Sequence, residues 1–356
     1  MTNRIRDVRS YLNQKDLTGI LLTESISIRY IADFISSNAA LLIFHETVYL
    51  LTDFRYAEKA QELCTHTGWT FLPVTNSLFA PLSKVLSPSM RIGIESESLT
   101  LDSFAEMQKH LSGVEFFHCK RDIHLISAQK QRDELTYIST AAAMADRALN
   151  KLLPHLTPGI DEYSAARLLE KLCLEEGSEG PSFPTIMLFG KHSSLPHGTP
   201  SSKKVLQEGD TILIDFGCTY HGYCSDMTRT FFSTKISPHM EEIYRTVSHA
   251  QEMGKKAVRA GVSAATIDAT CRSIIEDAGY GPHFQHGTGH GVGLRIHEYP
   301  ALNKKSDAVL KPGMVITVEP GIYLPHTGGV RIEDLLIVTE EGYDLLSHSS
   351  RSLTCI

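Results

Sequence analysis

The chain has no Cys-x-x-Cys pair, no run of basic residues and no apolar stretch longer than AALLIF at residues 39–44. Each absence excludes a class of function. Without a Cys-x-x-Cys, the seven scattered cysteines (Cys64, Cys119, Cys173, Cys218, Cys224, Cys271 and Cys355) offer neither a thiolate zinc site nor a disulfide framework. Their odd number fits reduced thiols and a cytoplasmic location. A net charge of −7 and a pI near 6.2, with no basic–aromatic interleaving, argue against nucleic acid as a partner. Six apolar residues cannot cross a bilayer, and the opening MTNRIRDVRSYLNQKDL lacks the apolar centre of a signal peptide. No membrane partner and no export signal are therefore expected.

What is present is the composition of an ordinary soluble protein, 42% hydrophobic and 21% charged, over a length of 356 residues that suits two domains. In the first part, GILLT (19–23), ALLIF (40–44), VYLLT (48–52) and RIGIE (91–95) read as strands. Residues 7–15, 55–63 and 101–111 read as helices. This alternation predicts a small α/β domain over residues 1–126. The charged stretch QKQRDEL (129–135) then opens a helix that begins a second domain, residues 127–356.

The second domain repeats itself. PGIDEYSAARLLEKLCLEEG (158–177) matches AGVSAATIDATCRSIIEDAG (260–279), with Gly159 against Gly261 and Gly177 against Gly279, an offset of 102 in both cases. A helix is expected before each copy, over 134–153 and 240–259, and strands after each. GDTILIDFG (209–217) then aligns with GMVITVEPG (313–321) at offset 104, which sets Asp215 against Glu319. Each acid has a companion on the following strand, Asp226 and Glu333. Thr211, Leu213 and Asp215 share one face of a buried strand by the period-two rule, and the turn to Asp226 is marked by Tyr220, His221 and Gly222. Cys218 and Cys224 flank that turn and read as small core residues.

A lone acid in a strand is usually an edge or solvent-facing residue, but four at repeat-related positions converge on one floor. Four converging carboxylates cannot all ionise without counter-charge, because each raises the pKa of its neighbours. The strand motifs hold no lysine, and their one arginine, Arg331, cannot balance four negative charges. Two divalent cations can, bridged by Asp or Glu at roughly 3.5–4 Å and sharing a hydroxide that is nucleophilic at neutral pH. An imidazole comes from HFQHGTGHGVGLRIHEYP (283–300), where glycines around His290 let the backbone approach closely. Oxygen-rich ligation with one imidazole suits Mn²⁺, Co²⁺, Fe²⁺ or Zn²⁺.

Together PHG (196–198), D-x10-D (215–226), GHGVG (289–293) with HE (297–298), EPG (319–321) and GGVRIED (328–334) resemble the dinuclear metallopeptidases of the pita-bread fold, among them aminopeptidase P, prolidase and methionine aminopeptidase. The resemblance covers nearly the whole chain. It implies an α/β (α+β) fold, with a creatinase-like N-terminal domain and a C-terminal pita-bread domain of pseudo-twofold symmetry. It implies that Asp215 binds one metal, that Asp226 and Glu333 bridge, and that His290 and Glu319 complete the second. In the same way His197 contacts the scissile region, His286 and His297 line the S1′ side and assist proton transfer, Arg331 braces the carboxylates, Tyr323 lines the site, and Glu319 relays a proton. For His286 and Tyr323, packing roles stand nearly level with these.

YIADF (30–34) and TDFRY (52–56) resemble the creatinase-type N-domain of aminopeptidase P and prolidase, which argues against methionine aminopeptidase; creatinase itself lacks the metal ligands. The implied activity is cleavage of the Xaa-Pro bond at the N-terminus of proline-containing peptides by a manganese-dependent homodimer. A dipeptidase is the alternative. In HEYPALNKK, Ala301 stands where some prolidase-like relatives have an arginine for the substrate's carboxylate, which favours longer peptides. A third reading, a non-catalytic peptide- or protein-binding homologue, runs against the intact ligand set.

Overall fold

Ile5, Val8 and Leu12 recur at helical spacing and are buried along one side of the first helix, α1 (Thr2–Lys15). In the computed structural model, which describes residues 2–119 and 122–356, the chain divides between Ser127 and Ala128. The N-terminal unit continues with β1 (Gly19–Leu22), α2 (Ser25–Ala32), β2 (Ala39–Phe44), β3 (Val48–Asp53), α3 (Ala57–Thr67), β4 (Thr70–Val74), β5 (Arg91–Ile94), α4 (Leu101–His110) and β6 (Glu115–His118), and α5 (Asp122–Ala128) follows. Its mixed sheet has the order β4-β3-β2-β1-β5-β6. The antiparallel β1–β2–β3 centre is extended by parallel neighbours on both sides. The four strands expected from the sequence form this sheet with β4 and β6 added at its edges. Both edge strands are only partly buried and β4 contains Pro73, so neither shows a clear period of two.

The second unit runs α6 (Arg132–Leu152), α7 (Glu162–Glu175), β7 (Ile186–Phe189), β8 (Thr211–Phe216), β9 (Thr219–Tyr220), β10 (Tyr223–Cys224) and β11 (Met227–Phe232). It then repeats the order with α8 (Pro238–Lys256), α9 (Ala264–Asp277), β12 (Gly289–Gly291), β13 (Glu298–Leu302), β14 (Val315–Val318), β15 (Gly321–Leu324), β16 (Gly328–Arg331), β17 (Asp334–Val338) and β18 (Tyr343–Leu345). The repeat is visible in the backbone. Gly159 and Gly261 both take positive φ, 108° and 79°, and Gly209 and Gly313 both sit at 81°. Asp161 and Ser263 cap α7 and α9, and each also forms an isolated bridge, to Val205 and Val309 respectively.

In each half a helix pair covers one side of an antiparallel sheet. Ile212, Ile214 and Phe216 of β8 pack toward α6 and α7, while Leu213 packs with Ile186, Leu188 and Tyr323. Alternation therefore sends Asp215, like Leu213, to the side away from the helices. Cys218 and Cys224 are buried, as expected for small core residues. Only one of the four acids lies inside a strand, however. Asp215 pairs with Thr228 and Ile186 in the ladder, whereas Asp226 precedes β11, Glu319 follows β14 and Glu333 sits between β16 and β17. Asp215 and its repeat-mate Glu319 differ for a simple reason: Glu319 is followed by Pro320, which has no N–H to continue a ladder.

Candidate metal centre

The acids and His290 meet at the floor of a cavity of about 500 Å³. One potential ligand atom from each of Asp226, His290 and Glu333 falls within 4.8 Å of the others. His290 Nδ1 lies 3.0 Å from the carbonyl of Gly291 and donates to it, which leaves the Nε2 lone pair facing Asp226 Oδ2 at 3.5 Å and Glu319 Oε1 at 3.3 Å. β12 can carry His290 here only because Gly289 has no side chain: a Cβ would stand 2.0 Å from the carbonyl oxygen of Thr317.

Each carboxylate has one oxygen fixed by the protein or turned to its neighbours. Thr228 Oγ1 donates to Glu333 Oε2 at 2.7 Å, Thr317 Oγ1 donates to Glu319 Oε1 at 3.0 Å, and Arg331 Nη2 donates to Asp215 Oδ2 at 2.5 Å. Of the other oxygens, Asp215 Oδ1 and Glu333 Oε1 are buried without a hydrogen-bond partner. Burial, followed by the charges of the other acids, holds Asp226 and Glu333 well above the usual carboxylate range, and burial raises Glu319 as well. Burial pushes His286, His290 and His297 down, which favours neutral imidazoles with a lone pair to give. Orphaned buried oxygens, acids that repel one another and a neutral imidazole fit one or more divalent cations and do not suit an empty polar floor.

Arg331 takes the bracing position expected of it. Besides Asp215 it donates to Thr228 Oγ1 at 2.9 Å, to the Tyr323 hydroxyl at 2.7 Å and to the Pro196 carbonyl at 3.3 Å. Tyr323, pushed up to about 12 by burial, passes this chain on, with its hydroxyl 3.0 Å from His286 Nε2. His286 Nδ1 meets the Gly287 carbonyl at 2.8 Å, so both ring nitrogens of His286 are engaged. His297 differs from its expected partner: its ring stands edge-on to His290 at 4.4 Å and lines the cavity. His197, itself exposed, reaches the same cavity from the loop between β7 and β8. Glu298, the acid of the His-Glu motif, pairs with Lys130 at 2.8 Å and accepts from the Arg295 amide at 3.0 Å.

The count of one arginine near the acids is corrected by Arg229, which sits in the same hairpin. It is 1% exposed and donates to Asp334, to the carbonyls of Thr228 and Glu333, and to that of Ser349. Asp334 takes up its charge, so Arg229 does not balance the four acids. The threonines Thr228 and Thr317 also escape sequence reasoning. Their only signal is a hydroxyl at a buried strand position, and a β-branched core residue gives the same pattern.

Residues 136–340 match the profile of Metallopeptidase family M24, and residues 4–126 that of the Creatinase/Prolidase N-terminal domain. The chain belongs to this metallopeptidase family. All five candidate ligands, with His197, His286, His297, Tyr323 and Arg331, lie inside the matched segment. The peptidase is 36% identical to the "Uncharacterized peptidase YqhT" of Bacillus subtilis, over 98% of this chain and 99% of that one. Its structure is similar to that of an Xaa-Pro dipeptidase from Bacillus anthracis, with a TM-score of 0.95, 36% identity and coverage of 100% and 99%. It is also similar to an X-Pro aminopeptidase from Thermotoga maritima, with a TM-score of 0.87, 30% identity and 99% of both chains covered. The expected fold, a creatinase-like domain followed by a pita-bread domain, is therefore the fold of this peptidase.

Proposed function

We propose that the peptidase is an Xaa-Pro aminopeptidase that works with two divalent ions, most readily Mn²⁺, held by Asp215, Asp226, His290, Glu319 and Glu333. The observation that carries this reading is the pair of orphaned buried oxygens, Asp215 Oδ1 and Glu333 Oε1, beside the His290 lone pair. Four carboxylates with one imidazole suit Mn²⁺ over a soft-metal site. Ions bound there would supply Lewis acidity for the scissile carbonyl and a water acidic enough to attack at neutral pH.

In this reading the protein's own residues do the rest. Arg331 occupies Asp215 Oδ2, so Oδ1 is the oxygen left for an ion. Asp226 and Glu333 would hold both ions, and His290 and Glu319 would complete the second. Glu319 carries the proton from the attacking water to the departing proline nitrogen, and His197 and His297, on the cavity wall, hold the peptide on either side of the scissile bond. The substrate's free α-amine is drawn to the acids, which selects N-termini. The reading includes a homodimer, which sedimentation of the purified chain checks, and a cytoplasmic location, which suits six buried free thiols.

His197→Ala and His297→Ala are each expected to keep the metals and lose turnover by about 10²–10⁴-fold. Activity and metal analysis on the same preparations check this. Loss of metal from either variant, with His290→Ala still loaded, would reverse the ligand assignment.

Peptide length separates the two specific readings. The name of the B. anthracis relative favours a dipeptidase, and that of the T. maritima relative an aminopeptidase. Among the described residues lining the cavity the only arginine or lysine is Arg331, whose guanidinium is already committed. A dipeptide's carboxylate therefore finds no fixed cation there, and kcat/KM for Ala-Pro-Ala is expected to exceed that for Ala-Pro at matched metal loading. A clear preference for Ala-Pro decides for the dipeptidase.

A further inference from the structure

The loop that brings His197 to the cavity is anchored from behind the site. Glu162 begins α7 and is 0% exposed. Its Oε1 accepts from the Phe189 amide at 2.8 Å and its Oε2 from the Ser201 amide at 3.0 Å. His192 Nδ1 is 2.9 Å from both oxygens and donates between them. One carboxylate thus ties residue 189, where the loop leaves β7, to residue 192 in its first turn and to residue 201 beyond His197. Ser193 adds a tie to β16, accepting from the Gly329 amide at 2.9 Å, and Arg331 reaches the Pro196 carbonyl. An acid at this depth is tolerated only with such donors.

The other half of the repeat holds its histidine loop in a comparable way. On α9, Asp268 Oδ1 accepts from the Thr288 amide at 3.2 Å and from its hydroxyl at 2.9 Å. Its ion-pair partner Arg272 donates to the carbonyls of Phe284 and His286. The repeat offset of 102 would set Glu162 against Ala264, so the two clamps occupy different positions on equivalent helices. A buried acid on the second helix of each half thus holds the loop that carries a cavity histidine.

We infer that Glu162 is a positioning residue: with His192 it holds the 189–201 loop so that His197 faces the substrate, without touching substrate itself. This rests on the reading of His197 as a group that contacts the peptide. Glu162→Gln keeps the volume but turns an NH₂ toward one of the loop's amide donors whichever way the amide sits. On the metal-replete enzyme, kcat for Ala-Pro-Ala is expected to fall on the order of 10²-fold with KM changed less and metal content unchanged. Hydrogen exchange is expected to rise in peptides covering 186–201 and not in those covering 284–302. In a His197→Ala background the same substitution is expected to cost less than about twofold, because the two residues act through one path.

His192→Ala leaves the carboxylate and both amide donors in place. It is expected to give the same pattern at smaller amplitude, and it carries the test if Glu162→Gln does not fold. An equal loss of kcat in both backgrounds, or unchanged exchange over 186–201, overturns the inference. Full turnover by His197→Ala alone overturns the reading of His197 together with this inference, and that single variant tells the two failures apart.

Discussion

Glu333→Ala is expected to leave no measurable hydrolysis of Ala-Pro-Ala and to lose bound metal, a fall of at least about 10³-fold in kcat/KM. A metal Lewis acid contributes several kcal/mol to the transition state, and each 1.4 kcal/mol is a factor of ten. Glu333, like Asp215, has one oxygen held by the protein, here by Thr228, and the other buried with no partner, which suits a candidate ligand that faces an ion. The substitution removes one member of a set of mutually repelling buried acids, so the metal-free protein is expected to be no less stable than the wild type. Metal analysis, activity and thermal unfolding of the stripped protein check the three parts. A metal-replete, active Glu333→Ala enzyme sinks the dinuclear reading, and a strong loss of stability without metal would make Glu333 a structural residue first.

Asp334→Ala, one position along the chain, is expected to act in the opposite way: a large loss of stability. Asp334 is 0% exposed and accepts from Arg229 at 2.9 Å, Lys255 at 2.6 Å, Gln251 at 2.8 Å and Arg351 at 2.7 Å. Removing the acid that these groups share leaves buried cations without a counter-charge, which costs about 3–5 kcal/mol. Lys255, whose ammonium burial already pushes below the usual lysine range, can shed its proton; the guanidinium of Arg229 cannot. The midpoint of thermal unfolding is expected to fall by about 6–10 °C. Arg229 also donates to the carbonyls of Thr228 and Glu333, so a weakened metal affinity should accompany the loss. An unchanged midpoint would mean that the cations find other acceptors or solvent.

The five ligand candidates and the cavity histidines could be read in the chain because the pattern is local and doubled. Gly209 and Gly313, each six residues ahead of an acid, both adopt the positive φ that glycine permits, and the bridges of Asp161 and Ser263 recur at the repeat spacing. A strand placed by periodicity and a turn placed by glycine carry their acids with them, so Asp215 and Glu319 come to one floor by symmetry. The N-terminal sheet was legible at its buried centre and not at its half-exposed edges, where β4 and β6 lose the alternation that marks a strand.

The sequence by itself thus determined the two-part organisation, the repeat and the set of residues that meet at the cavity. The tertiary structure alone decided which of those residues are committed elsewhere. Arg331 is spent on Asp215, Tyr323 and Thr228, His286 has both nitrogens bonded, and Arg229 answers to Asp334. The buried acid Glu162 turns out to hold the His197 loop from a helix that lies 39 residues before Ser201 in the chain. The physical reason is that periodicity fixes the face on which a side chain stands, while its hydrogen-bond partner lies on another element, 37 to 120 residues distant in these cases save for the short Arg331–Tyr323 link and the His286–Gly287 contact. That pairing is settled only when helices and sheets pack and every buried donor must find an acceptor.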